Sequence, residues 1–147
     1  MYKVKRFARS YIDPIRWDDH GINLIRVNIE YSKKYESDMK DPSVLMYSKK
    51  MRLLIRDIRD GFMYEDGPNG GETHMLGDYN KKNKFLLYSK KVFSDKGVDT
   101  YHRVNYAIYK PEVSQDSPSK ILVFKIVIQS VKGHGLLGRK GYSEMED

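Results

Sequence analysis

The chain has 147 residues, a formal net charge of +7 and no cysteine; 39% of its residues are hydrophobic and 32% are charged. These values predict one soluble globular domain rather than a disordered chain. The absence of cysteine excludes disulfides, thiolate catalysis and cysteine-bound zinc, and it favours the cytoplasm. No apolar run approaches the roughly 20 residues of a membrane helix, so no membrane partner is expected.

The first half of the chain predicts one strand followed by two helices. Residues 22–31 alternate between apolar and polar side chains, as a half-buried strand does. A serine-capped short helix is predicted over 33–40, and Pro42 then breaks it. A longer helix is predicted from Ser43 to Gly61, because its apolar residues recur at spacings of three and four. This stripe runs through Val44, Tyr47, Met51, Leu54, Ile58 and Phe62, and it is typical of core packing.

The second half predicts strands. A glycine-rich link over 66–74 comes first, and it lacks the Gly-Lys-Ser/Thr element of a phosphate-binding P-loop. Strands are then predicted at 85–93, 102–109 and 121–131. The stretch 110–119 between the last two strands contains two prolines and predicts a turn.

This order of elements predicts an α+β fold. An N-terminal strand and two helices would pack on a mostly antiparallel sheet that ends in a three-stranded meander. Residues 23–135 would form this domain, with 1–22 as an N-terminal extension and 136–147 as a C-terminal tail.

Arg103 and His134 lie at opposite ends of the last two predicted strands. Antiparallel pairing of these strands would bring the start of the first beside the end of the second. An arginine with a fixed charge would then lie near an imidazole that can gain one. This pair suits chemistry on a phosphate ester.

Residues 81–103 carry seven lysines and arginines against two aspartates, so the basic excess is concentrated in one segment. Such a concentration favours a polyanionic partner such as nucleic acid. The expected contacts with an RNA backbone are Lys81, Lys82, Lys84, Lys90 and Lys91. His102 alternates with Arg103 and is expected to be structural. His20 and His74 have no metal-ligand neighbour at a useful spacing, so no metal site is predicted.

In the order and spacing of these motifs, residues 23–135 resemble the RelE/YoeB toxins of type II toxin–antitoxin modules, the Txe/YoeB branch in particular. The family runs a helix into a glutamate-bearing loop, then a basic strand, a His-Arg strand and a last strand that closes on Gly-His. The corresponding segments here are Gly71–Leu76, Tyr88–Val92, Tyr101–Tyr106 and Val131–His134.

The resemblance implies a small ribonuclease that cuts messenger RNA in the ribosomal A site without a metal or other cofactor. It also implies a cognate antitoxin protein as partner, beside the ribosome and its mRNA. Carried over by position, Glu72 matches the catalytic glutamate, Arg103 the phosphate-binding arginine and His134 the C-terminal histidine. The family's terminal tyrosine is Gly135 here, and Tyr142 is the candidate substitute.

The chemistry is also sound without the family. RNA is cleaved when its own 2′-OH attacks the adjacent phosphate, which requires a base, an acid and positive charge at the phosphate oxygens. Glu72 would be the base, His134 the acid or a second base, and Arg103 the charge.

Two other functions stay open at this point. A ParE-like toxin would inhibit DNA gyrase by protein contact and would not need these three residues. A catalytically silent RNA-binding protein would use the basic strand but not His134.

Overall fold

The computed structural model describes residues 2–3, 22–76, 85–116 and 119–132. In these residues one sheet contains seven strands, and three helices pack on one of its faces. The strands are β1 Tyr2–Lys3, β2 Ile22–Tyr31, β3 His74–Met75, β4 Phe85–Phe93, β5 Asp99–Tyr109, β6 Glu112–Asp116 and β7 Ser119–Ser130. The helices are α1 Lys33–Asp38, α2 Pro42–Leu45 and α3 Ser48–Arg59. None of these helices is long and apolar enough to cross a membrane.

The sheet is mixed, with strand order β1-β2-β7-β5-β4-β3 and with β6 paired to β7. β2 and β7 run parallel, from Leu24 beside Ile121 to Tyr31 beside Ile128. The pairs β5–β7, β4–β5 and β3–β4 are antiparallel. The first long strand therefore lies next to the last one, and the helices carry the chain between β2 and the antiparallel half of the sheet.

The expected α+β layout, with two helices on a mostly antiparallel sheet, is wrong. Of the residues that the structure describes, far more lie in strands than in helices, and the sheet is mixed. Alternation of apolar residues identifies a strand from its own sequence, but it does not determine which strand becomes its neighbour or in which direction. The long parallel β2–β7 pair depends on contacts about a hundred residues apart in the chain.

The single long helix expected from Ser43 to Gly61 is divided into α2 and α3. Tyr47 leaves the helical region at φ −112° and ψ 16°, and its N–H bonds to the Val44 carbonyl three residues back, which closes a tight turn. The apolar stripe nevertheless packs as expected, because Val44 and the stripe residues of α3 are fully buried. Gly61 follows α3 at φ 103°, a conformation that glycine adopts without strain.

The predicted pairing of the last two long strands is confirmed, since Asn105 lies opposite Ser130 in antiparallel register. The stretch between them is not a simple turn, because it contains β6, which pairs with the start of β7. A register shift between Asn105 and Tyr106 leaves Gln129 as an extra residue of β7. Beyond this bulge Val131 packs in the helix-side core, and Ser130 faces Asn105 on the other side of the sheet.

Candidate functional site

The face of the sheet that turns away from the helices, termed the reverse face, carries a buried polar row. Ser89 donates a hydrogen bond to the side-chain oxygen of Asn105 (2.9 Å), and Asn105 donates to Ser130 (3.0 Å). All three residues are fully buried. One alternation further along the strands, Lys91 lies directly opposite Arg103. Their neighbours Val92 and Val104 pack in the helix-side core, so Lys91 and Arg103 share the reverse face.

Lys91 is held between two carboxylates. Its ammonium nitrogen lies 3.3 Å from Oε2 of Glu72 and 3.3 Å from Oδ2 of Asp99. Its hydrogen bond to Asp99 raises the pKa of Lys91 most, and its hydrogen bond to Glu72 raises it further. Lys91 therefore remains charged at neutral pH. The pKa of Asp99 is lowered, chiefly by the backbone N–H of Tyr101 and also by Lys91.

Arg103 contacts the imidazole of His74. The guanidinium Nη1 lies 3.4 Å from His74 Nε2, and His74 Nδ1 lies 3.2 Å from the Glu72 carbonyl oxygen. A guanidinium can only donate and a carbonyl can only accept. This network is satisfied when Nδ1 is the donor nitrogen and the lone pair of Nε2 faces Arg103.

Arg103 is only 8% exposed. Burial lowers the pKa of its guanidinium, whereas Asp99 and Glu72 raise it. An arginine keeps its charge under such perturbation, so the site has a fixed positive charge 3.4 Å from His74 Nε2. Glu72, His74, Lys91, Asp99 and Arg103 are together termed the Arg103 cluster.

The loop that carries Glu72, residues 65–73, is anchored to α3. The buried carboxylate of Asp57 accepts hydrogen bonds from the backbone N–H of Asn69 (2.9 Å) and from its side-chain amide (2.8 Å). The N–H of Gly70 bonds to the carbonyl of Gly67, which closes a turn over Pro68 and Asn69. A Cβ on Gly67 would lie 2.6 Å from the Asp57 carboxyl carbon, so only glycine fits at this contact.

Lys90 anchors the same loop from the helix side of the sheet. Its side chain is fully buried, and Nζ donates to the Glu65 carbonyl (2.8 Å) and to Oγ1 of Thr73 (2.7 Å). Burial lowers its pKa to about 8, although Asp66 and Asp57 oppose the shift. This position differs from the exposed one expected for an RNA contact, and it makes Lys90 a structural anchor.

The loop then passes around the edge of β4. Gly71, at φ 118°, accepts a hydrogen bond from the backbone N–H of Lys91, and a Cβ there would meet Leu54 at 3.0 Å and Lys90 at 3.1 Å. Glu72 follows in the left-handed region at φ 42°. β3 then pairs with β4, with His74 opposite Ser89. The chain thus delivers Glu72 and His74 to the reverse face beside Lys91 and Arg103.

The structure brings together three of the residues expected from sequence, namely Glu72, Lys91 and Arg103. His74 and Asp99 join them and were not expected there. No local pattern of the sequence signalled this approach, because it depends on the left-handed backbone of Glu72, which precedes β3, and on the pairing of β3 with β4. The other expected residues, Lys81, Lys82, Lys84, His134 and the substitute candidate Tyr142, lie outside the described residues.

Within the described ranges, no group of three or more His, Asp or Glu side chains is arranged to hold a metal ion. No protein-family model, no curated protein and no solved structure matches this chain. The Arg103 cluster must therefore be interpreted from its own geometry.

Proposed function

We propose that this protein is a metal-independent endoribonuclease whose Arg103 cluster binds and cleaves a phosphodiester of RNA. The observation that carries the proposal is the convergence of a buried arginine, a lysine and a histidine on one sheet face. Arg103 and Lys91 supply positive charge for the phosphate oxygens, and His74 supplies a basic nitrogen beside them.

In the proposed reaction the ribose 2′-oxygen attacks phosphorus and the bond from phosphorus to the 5′-oxygen breaks. The 2′-OH proton passes to a base, and the departing 5′-oxygen takes a proton from an acid. The products are a 2′,3′-cyclic phosphate and a free 5′-OH. Charge on the equatorial oxygens grows in the transition state, and the guanidinium of Arg103 stabilises it.

Two groups of the cluster can accept the 2′-OH proton, the Glu72 carboxylate and His74 Nε2. Lys91 holds the Glu72 carboxylate in an ion pair, whereas the Nε2 lone pair faces Arg103, where the phosphate would bind. The contact between Nε2 and Arg103 is long for a hydrogen bond at 3.4 Å, so a phosphate oxygen can replace it at little cost. We therefore assign the base role to His74. Glu72 keeps Lys91 and His74 in position.

The raised pKa of Lys91 makes it a poor proton donor and suits it to binding charge. His134 remains the proposed acid, on the basis of the resemblance to RelE/YoeB toxins. Lys81, Lys82 and Lys84 remain proposed contacts with the RNA backbone.

The finer proposal follows from the same resemblance. The protein would be the toxin of a type II module, would act in the cytoplasm on mRNA in the ribosomal A site, and would be silenced by a cognate antitoxin. Glu72 and Arg103 belong to one cluster, which supports this assignment because both match functional residues of that family.

The test is to induce the chain in bacteria and to map new mRNA ends, beside Arg103→Ala and His74→Asn. Arg59→Ala is the matched control, since it removes one exposed arginine from α3 on the helix side of the sheet. We expect growth arrest and cuts inside translated codons for the wild type and for Arg59→Ala. Both effects should be lost in the two cluster variants.

Other outcomes would point elsewhere. Growth arrest without RNA cuts would indicate a protein target such as DNA gyrase. Abundant folded protein without arrest or cuts would indicate a silent RNA-binding protein. Full toxicity of Arg103→Ala would contradict the phosphate-binding role of this residue.

A further inference from the structure

Tyr101 lies at a defined irregularity next to the Arg103 cluster. The β4–β5 register passes from Val92 opposite His102 to Phe93 opposite Asp99, so Thr100 and Tyr101 are extra residues of β5. Such a bulge redirects a side chain out of the regular pattern of the sheet. The side chain of Tyr101 is 82% exposed, which leaves nearly the whole ring accessible.

The backbone of Tyr101 is strained at this bulge. Its φ is +64°, and in the described part of the chain only Tyr101 and Glu72 are non-glycine residues with positive φ. A positive φ is unfavourable for a bulky aromatic residue. Residues with such strained backbone occur most often at functional sites. Glu72 belongs to the Arg103 cluster, and Tyr101 lies in sequence between two of its other members, Asp99 and Arg103.

Side chains hold the bulge in place. Oδ1 of Asp99 accepts the Tyr101 N–H at 2.8 Å, and Oγ1 of Thr100 donates to the Val92 carbonyl at 2.6 Å. The other oxygen of Asp99 lies 3.3 Å from Lys91 Nζ. One carboxylate therefore links the ring-bearing bulge to the cations of the cluster.

We propose that Tyr101 is a stacking platform for a base of single-stranded RNA whose phosphate lies on Arg103 and Lys91. Single-stranded nucleic acid offers a charged backbone and an aromatic base. Arg103 and Lys91 suit the backbone, and the exposed ring of Tyr101, two residues before Arg103, suits the base. Stacking does not depend on base identity, so the platform supplies affinity and orientation with little sequence preference. This inference rests on the proposed function and adds the substrate feature that it recognises.

The test measures binding of the full-length protein to two strands of equal length at one salt concentration. One is a mixed-sequence 2′-O-methyl oligoribonucleotide, which cannot be cleaved by its own 2′-oxygen. The other is its abasic counterpart, which keeps the phosphates and lacks the bases. Tyr101→Ala removes the ring, and Tyr101→Phe is the matched control that keeps it.

We expect Tyr101→Ala to weaken binding of the base-bearing strand by about 5- to 100-fold and to leave the abasic strand nearly unaffected. Tyr101→Phe should bind both strands as the wild type does. Circular dichroism of each variant verifies that the fold is kept.

Equal binding of Tyr101→Ala and wild type to the base-bearing strand would overturn the platform. Equal weakening of both strands would also overturn it, and either result would leave the proposed RNA function standing. If the wild type bound neither strand, RNA binding at the Arg103 cluster would fail together with the platform.

Discussion

At the scale of single residues, the proposed chemistry depends on the orientation of one imidazole. His74 Nδ1 lies 3.2 Å from the Glu72 carbonyl oxygen, and Nε2 lies 3.4 Å from Nη1 of Arg103. Nε2 is therefore the nitrogen that lies where the proposed phosphate would bind.

His74→Asn tests whether His74 acts as a base or only as a hydrogen-bond donor that holds the loop. The Asn side-chain amide can still donate to the Glu72 carbonyl, but it cannot accept a proton. We expect the variant to fold normally and its cleavage rate at neutral pH to fall by about 100-fold or more.

The measurement is the cleavage rate of both proteins at neutral pH, with unfolding curves to verify stability. A His74→Asn variant that cleaves at the wild-type rate would remove His74 from the reaction and return the base role to Glu72.

At the scale of elements, the site depends on a loop that is fixed at both of its ends. Asp57 of α3 binds Asn69, and Lys90 of β4 binds Glu65 and Thr73. These contacts bring Glu72 and His74 around the edge of β4 to the reverse face. A glycine-rich sequence predicts conformational freedom, but here the glycines allow close packing against α3 and β4.

Two glycines of this loop form a matched pair for testing its packing. Gly70 and Gly71 both have positive φ, but only Gly71 is crowded, by Leu54 and Lys90. Gly70→Ala should cost only the left-handed backbone penalty, about 1–2 kcal/mol. Gly71→Ala should cost about 2–4 kcal/mol, because the added Cβ must also displace its neighbours.

Denaturant unfolding of the two variants gives this comparison. Gly71→Ala should also lose cleavage activity beyond its loss of stability, since Gly71 precedes Glu72. Equal destabilisation by the two substitutions would show that packing at Gly71 does not matter.

The same elements show what the sequence could and could not predict. Strands β2 and β4 have the predicted bounds, because alternation is a local property of the sequence. The break at Tyr47 and the strand β6 inside a proline-containing stretch were missed, since both depend on tertiary contacts. Lys90 and Lys91 were assigned one role, although adjacent strand residues point to opposite faces and cannot share it.

At the scale of the whole molecule, the two faces of one sheet have separate tasks. The helix side contains the main hydrophobic core, and the reverse face carries the polar row and the Arg103 cluster. The predicted mostly antiparallel α+β layout was wrong because the parallel β2–β7 pair joins segments that are distant in the sequence. The sequence prediction placed Glu72 and Arg103 in one candidate site, and the structure brings them together, whereas the approach of His74 and Asp99 depends on the folded loop and bulge.

Lys90 links global stability to pH. Its pKa is about 8 in the folded protein and near 10.5 in the unfolded chain. Below pH 8 both states hold the proton, and above it the unfolded state binds more protons, so stability rises with pH. This rise of stability with pH ends near pH 10. Burial raises the pKa of Tyr106 well above 10, so above pH 10 the unfolded chain loses the tyrosine proton first and stability falls with pH.

We therefore expect the free energy of unfolding to rise by on the order of 2 kcal/mol between pH 8 and pH 10 through Lys90. Lys90→Met should remove this contribution. Urea unfolding of both proteins across this range is the measurement, and parallel curves for wild type and variant would contradict the assignment.

The most direct test of the proposed ribonuclease activity is cleavage of a defined mRNA on bacterial ribosomes by the purified full-length protein. The reaction is run on an all-ribose message and on one with a single 2′-deoxynucleotide at the cut position. We expect a 2′,3′-cyclic phosphate end from the first message, no cut at the deoxy position of the second, and at least about a 100-fold slower reaction for Arg103→Ala. Cleavage at the deoxy position, or a wild-type rate for Arg103→Ala, would contradict the proposed reaction.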